Sequence, residues 1–217
     1  VNDPRVTGPE AATPLAARRK RQRDGTEASI LAAAVAVFSE RGYAAATVAD
    51  IVQGCGISRG AFYLYFQDKK DVFRELVRRA VADCYDVVPV EDGTLRERIR
   101  RSTRLHLEAY QRNRGILRCL FEVSTVEPEF GDLHNRYRTE FVERIERHLY
   151  RAGKAGRCRP LDPKVTAFSL GCMIGGVAYM WLCADFDPYG GSVLTLDSVV
   201  EQITEFWVTT VYRDGVA

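Results

Sequence analysis

Between positions 47 and 69 the 217-residue chain concentrates side chains that bond phosphates and base edges: Thr47, Ser58, Arg59, Tyr63, Tyr65 and Lys69, with Gly60 among them. Hydroxyl and ammonium groups suit phosphate oxygens, and an arginine fork can take both major-groove acceptors of a guanine. Arg59 and Tyr63 stand four apart, so a helix puts them on one face, while Phe62 and Phe66 can pack inward against Val48 and Ile51. Gly60 costs a helix about 1 kcal/mol relative to Ala; its lack of a side chain makes sense where DNA comes close. Arg59 reads as a base reader or as one more phosphate contact. Lys69 and Lys70 open a helix, where the macrodipole disfavours cations. They read as an anion site completed by helix amides or as a solvated pair.

Other chemistries find less support. The six cysteines never form Cys-x-x-Cys, and the three histidines (His106, His134, His148) are scattered, reading as surface or hydrogen-bonded core groups. With no nucleophile–base motif, phosphate-binding glycine loop or metal spacing, no catalytic residue, metal or cofactor is expected. A reduced, cytoplasmic setting fits. The first 24 residues carry no apolar leader pattern, and the greasiest stretch, residues 165–183, is interrupted by Gly171, Gly175 and Gly176, so neither secretion nor a membrane span is expected.

Apolar residues recur at three- and four-residue intervals from Asp24 onward, which predicts an all-α fold of about nine helices. The first spans residues 25–41 and stops at Gly42; a short second begins at its cap Thr47; Gly56 turns the chain, and Ser58 caps a third that reaches Tyr65. Asp68 caps a longer fourth helix, with Val88 on its buried stripe and Pro89 ending it. Five more follow, over residues 94–111, 114–124, 128–152, 163–184 and 195–212. Two short helices joined by a glycine turn are a helix-turn-helix, whose second helix enters the major groove.

Charge follows the same division. Residues 1–80 hold 13 Lys/Arg against 9 Asp/Glu, and the remainder 18 against 20. Within the front, Arg18, Arg19, Lys20, Arg21 and Arg23 have no apolar face to fold on. Residues 1–23 therefore read as a flexible basic arm, either a solvated tail or a strand of charge along DNA. Residues 24–70 form the DNA-binding unit and 71–217 the helical body.

The run from Ile30 to Leu76 closely resembles the DNA-binding domain of the TetR (tetracycline repressor) family of bacterial transcription regulators. The resemblance rests on Phe38 with Gly42, Thr47-x-x-x-Ile51, Gly56-Ile57-Ser58, Phe62-Tyr63, Phe66 and Lys69. It implies backbone contacts by Thr47, Tyr63 and Lys69, and base or nearby contacts from Arg59, Gly60, Ala61 and Tyr65. Tyr65 stands where the family often has histidine, which leaves stacking or phosphate bonding open there.

The remainder should then hold a dimer and a ligand. The last two helices are the expected homodimer face: Leu196, Val200, Ile203 and Trp207, flanked by Val199 and Phe206, make a stripe too wide for one neighbour, and Gly171, Gly175 and Gly176 admit a close helix. The middle helices are rich in large side chains, from which Leu105, Tyr110, Leu117, Phe121 and Phe141, with Phe168 and Tyr179 beyond, are the candidate ligand contacts. The function expected is a ligand-responsive repressor that binds a palindromic operator as a dimer and is released by a small, apolar or amphipathic effector. The competing reading is a constitutive or architectural DNA-binding dimer with no effector.

Overall fold

A computed structural model of the chain describes residues 14–85, 92–213 and 215. Among them there are nine helices and no strand: α1 (Pro14–Ala45), α2 (Val48–Cys55), α3 (Arg59–Phe62), α4 (Lys69–Tyr85), α5 (Leu95–Arg112), α6 (Arg114–Ser124), α7 (Pro128–Lys154), α8 (Pro163–Val177) and α9 (Leu196–Val211). α8 runs on through a π-helical turn, Ala178–Cys183. The expected end of α4 at Val88 and Pro89 lies outside the described residues.

Two boundaries differ from the sequence reading. α1 starts at Pro14, so residues 14–23, expected as a flexible arm, are its first turns. Ala, Arg, Lys and Gln are strong helix formers, and a helix already nucleated by a packed segment extends through them without an apolar face. At its other end, Gly42 stops the regular helix as expected: its backbone sits at φ 73°, ψ 169°, and the last residues form a separate turn. The third helix is also shorter than expected, with turns carrying the chain from Phe62 to Phe66.

α1, α2 and α3 close over Ile30, Ala34, Phe38, Ile51 and Phe62, all fully buried. That core continues into α4, whose Phe73 meets Phe38, Tyr43 and Phe130 of α7 in one aromatic cluster with ring centroids 4.7–6.0 Å apart. The DNA-binding unit and the body thus share a core. α6 lies directly on α1: a Cβ placed on Gly115 would stand 2.0 Å from Ser39 Oγ and 3.2 Å from Ser39 Cα. Beside that contact Arg118 donates to the Ser39 carbonyl at 2.7 Å, and the Cys119 thiol approaches that of Phe38 at 3.3 Å.

In the body α5 packs on α9, and α7 on α8. α9 buries Val199, Val200, Ile203, Val208 and Val211 inside its own chain. Its wide stripe is therefore mostly core, because α5 and the α7–α8 layer cover it from two sides, and Phe206 (50% exposed) is the large side chain left outside. α8 presents more apolar surface: Val165 and Phe168 are 65% and 62% exposed, and Met180 lies further along. Pro163–Cys183 is, by length and composition, apolar enough to cross a membrane; it packs on α7 and carries this exposed face.

Candidate nucleic-acid interface and ligand cavity

The turn between α2 and α3 is locked by its own sequence. Thr47 caps α2 by accepting from the Asp50 amide at 3.2 Å, and Asp50 returns the bond by accepting from the Thr47 amide at 3.0 Å. The Thr47 hydroxyl beside it, together with Arg41 at 2.6 Å, holds the Asp50 carboxyl below the usual carboxylate range. Gly56 ends α2 in the left-handed region at φ 68°, which a residue with a Cβ resists. Ser58 then caps α3 by accepting from the Ala61 amide at 3.1 Å, which leaves its own O–H free to donate.

These locks fix what faces outward. Ser58, Arg59 and Gly60 are exposed, as is Tyr63 at 52%, while Phe62 and Phe66 are buried and Ala61 and Tyr65 half-buried. Arg59 makes no ion pair among the described residues. A Cβ on Gly60 would meet only Ser58 Oγ, at 3.9 Å, so nothing within the chain requires glycine there. Two features of this face carry no signal in the sequence. Leu64 is 76% exposed one turn after Gly60, where an apolar group can meet a thymine methyl. The Arg23 guanidinium lies 6.0 Å from the Tyr65 ring centre, so the start of α1 runs beside the same face.

Lys69 and Lys70 are placed differently from the expectation of a free anion site. The Lys69 ammonium donates to the carbonyls of Tyr43, Ala44 and Ala46 at 2.9–3.1 Å, using all three of its hydrogens at the end of α1. Lys70 pairs with Glu127 and Glu129 at 2.7 and 3.1 Å, and Arg74 also meets Glu129. The α4 start is capped by Asp68 and Asp71, which offset the dipole penalty of two cations there.

In the body a cavity of about 580 Å³ opens between α4–α6 on one side and α7–α8 on the other. Its walls are aromatic. Phe121 stacks on Tyr179 with centroids 3.7 Å apart and meets His134 edge-on at 4.5 Å. Phe141 faces Tyr85 at 5.2 Å and stacks on the His106 ring behind it. Tyr85 and Tyr110 join hydroxyls at 2.7 Å, and burial raises both above the ordinary phenol range, so both stay protonated. His106 donates from Nδ1 to the Cys84 carbonyl at 2.9 Å; burial lowers its pKa to about 4, so the ring is neutral and Nε2 is an unpartnered acceptor.

Of the seven residues singled out as ligand contacts, Tyr110, Phe121, Phe141, Phe168 and Tyr179 line this cavity. Leu105 does not: it falls on the outer side of α5, between the buried positions Thr103 and His106, and is exposed. Leu117 is buried in the core, one turn before Phe121. Unforeseen among the lining are His134 and Arg138 of α7 and the three glycines of α8. A Cβ on Gly171 would meet Val142 at 2.9 Å, so it admits α7, whereas Gly175 and Gly176 have nothing within 4 Å and leave the cavity its volume.

An exposed helix-turn-helix on a helical body with a small-molecule cavity defines a DNA-binding regulator. Residues 30–76 match the family model for bacterial regulatory proteins of the tetR family, and residues 92–208 match that for the tetracyclin repressor-like C-terminal domain. The chain belongs to the TetR family. It is 23% identical over 212 residues to the HTH-type transcriptional regulator EthR of Mycolicibacterium smegmatis, covering 95% of this chain and 96% of that one. Its fold is shared by a transcriptional regulator from Saccharomonospora viridis in complex with choline (TM-score 0.72, 23% identity, 88% and 99% of the two chains covered). The SmeT–triclosan complex shares it too (TM-score 0.67, 24% identity, 89% and 94% covered).

Proposed function

We propose that this TetR-family regulator is a repressor that binds a palindromic operator as a homodimer and leaves it when a small, largely apolar effector enters the cavity. The observation that carries the reading is that one helix touches both sites. Phe121 of α6 forms a cavity wall, and within two turns Gly115, Arg118 and Cys119 of the same helix hold the end of α1. An effector that parts Phe121 from Tyr179 must press on a helix fastened to the DNA-binding unit. The complexes of two structural neighbours with choline and with triclosan support a small-molecule effector. The aromatic walls favour one with an apolar body.

The dimer face in this reading is the outer side of α8 with Phe206 of α9, and the division between DNA-binding unit and body falls near residue 70. Two recognition helices about 34–36 Å apart then meet successive major grooves. Because coupling is reciprocal, operator DNA weakens effector binding by the factor by which effector weakens DNA binding.

A mobility-shift titration on the protein's own upstream DNA against scrambled DNA, at fixed near-physiological salt, tests this. A preference of about a thousandfold for the upstream fragment is expected. Arg59→Ala should cost about 1–3 kcal/mol on the operator alone, and Tyr63→Ala should weaken both DNAs alike. Equal binding to both DNAs by the unsubstituted protein defeats the reading. So does transcription from the adjoining promoter that is unchanged by the protein.

A further inference from the structure

The cavity is walled by aromatic rings in its depth and carries a cation at its mouth. Arg138 stands on the exposed side of α7 with Asn135 and Thr139, and all three line the opening. Glu143, the one carboxylate of the lining, lies 3.8 Å from Arg147. Arg138 makes no ion pair among the described residues. Its charge nevertheless reaches the interior, where it adds to burial in lowering the His134 pKa and favours the ionised form of Tyr85. Deeper in, the Tyr85 and Tyr110 hydroxyls carry two hydrogens and share one between them, so one remains for an outside acceptor.

We propose that the effector is an amphipathic anion, an aromatic or aliphatic body filling the cavity with a carboxylate or sulfonate-like head held by Arg138 at the mouth. The inference rests on reading the cavity as the effector site. A planar guanidinium forks two donors onto such a head, and the free phenolic hydrogen suits an ether, carbonyl or hydroxyl oxygen in the body. An aromatic box also attracts cations. Here an arginine guards the box, and its one carboxylate is already offset by Arg147.

Two fluorescent probes with the same ring system separate the possibilities: 1-anilinonaphthalene-8-sulfonate carries the anionic head, and N-phenyl-1-naphthylamine lacks it. Each is titrated into the full chain, into Arg138→Gln and into Gly175→Leu, a substitution that grows a side chain from a cavity-lining position with no atom within 4 Å of its Cβ. Arg138→Gln should weaken the sulfonate probe about tenfold or more, the equivalent of one charge-assisted contact. It should leave the neutral probe within about twofold, and Arg138→Lys should restore part of the loss. Gly175→Leu should abolish saturable binding of both. If Arg138→Gln leaves the sulfonate probe unchanged, or weakens both probes equally, the anionic class is wrong while the cavity reading stands. If Gly175→Leu leaves both probes bound, the cavity is not their site and the underlying reading fails with it.

Discussion

Lys69→Met separates two uses of one ammonium group. The resemblance to the family implies a phosphate contact, whereas the structure gives all three Nζ hydrogens to carbonyls of Tyr43, Ala44 and Ala46, with the Tyr43 ring 4.8 Å away. Methionine keeps the aliphatic stem and removes the charge. A charge-assisted hydrogen bond contributes about 1.5–3 kcal/mol when shielded. The ammonium is half-exposed and water can take over part of its role, so about 2 kcal/mol is the expected loss for the whole cluster. At about 2–4 °C per kcal/mol for a chain of this size, the melting temperature should fall by about 4–8 °C. Calorimetry reads that fall, and a salt titration of operator binding reads the alternative. A phosphate contact would lower the slope of log K against log salt by about 0.9 and leave melting unchanged. Melting within 1 °C of the unsubstituted protein (about 0.3–0.5 kcal/mol), together with that lower slope, would refute the capping argument.

Three other outcomes are expected. Replacing Arg18, Arg21 and Arg23 by Gln should lower the salt slope by about 0.9 for each phosphate no longer neutralised, equally on operator and scrambled DNA; an unchanged slope means the start of α1 stays clear of the duplex. Gly115→Ala should loosen the seam between α6 and α1, because its Cβ would overlap Ser39, and should lower both melting temperature and operator affinity; a variant that melts and binds normally shows that the seam has slack. His106 and His134, both held down to about 4 by burial, are neutral in the fold, so the unfolded chain takes up protons first as pH falls below 6.5. Stability in urea should therefore drop between pH 6.5 and 4.5, by up to about 1.4 kcal/mol per pH unit for each histidine, and His106→Gln should flatten the drop; a flat profile in the unsubstituted protein removes both from the account.

What can be read from residues alone is whatever depends on near neighbours. The caps at Thr47 and Ser58 and the turn at Gly56 all lie within a few positions of the residues they bond, and the structure places them as the pattern predicts. The start of α1 escapes such a reading because a helix of Arg, Lys, Gln and Ala has no apolar period to detect. The carbonyl partners of Lys69 escape it because they lie 23–26 positions away, where a sequence shows a cation at the unfavourable helix end but not the groups it bonds.

The cavity shows a deeper limit. An apolar period marks the face a helix turns inward, yet a filled core and the wall of a void leave the same mark. Leu117 and Phe121 are one turn apart on α6, and only the second borders empty space. The difference is made on another helix, by what is missing from it. Gly171 draws α8 against Val142, bringing the two helices together, and one turn later Gly175 and Gly176 withhold the side chains that would fill the gap so created. Close contact at one end of the glycine stretch and open space at the other are two parts of one device: the first fixes how far α7 can stand from α8, and the second decides that Phe121 and Tyr179 face a space an effector can enter. In the proposed mechanism the strain of a bound effector would have a short path, because α6 reaches α1 through Arg118 and Cys119 with no room for even a methyl group at Gly115. α4 fastens the same end of α1 through Lys69. In the proposed mechanism a shift of either helix would be delivered to the residues just before Thr47, which lead into α2 and α3.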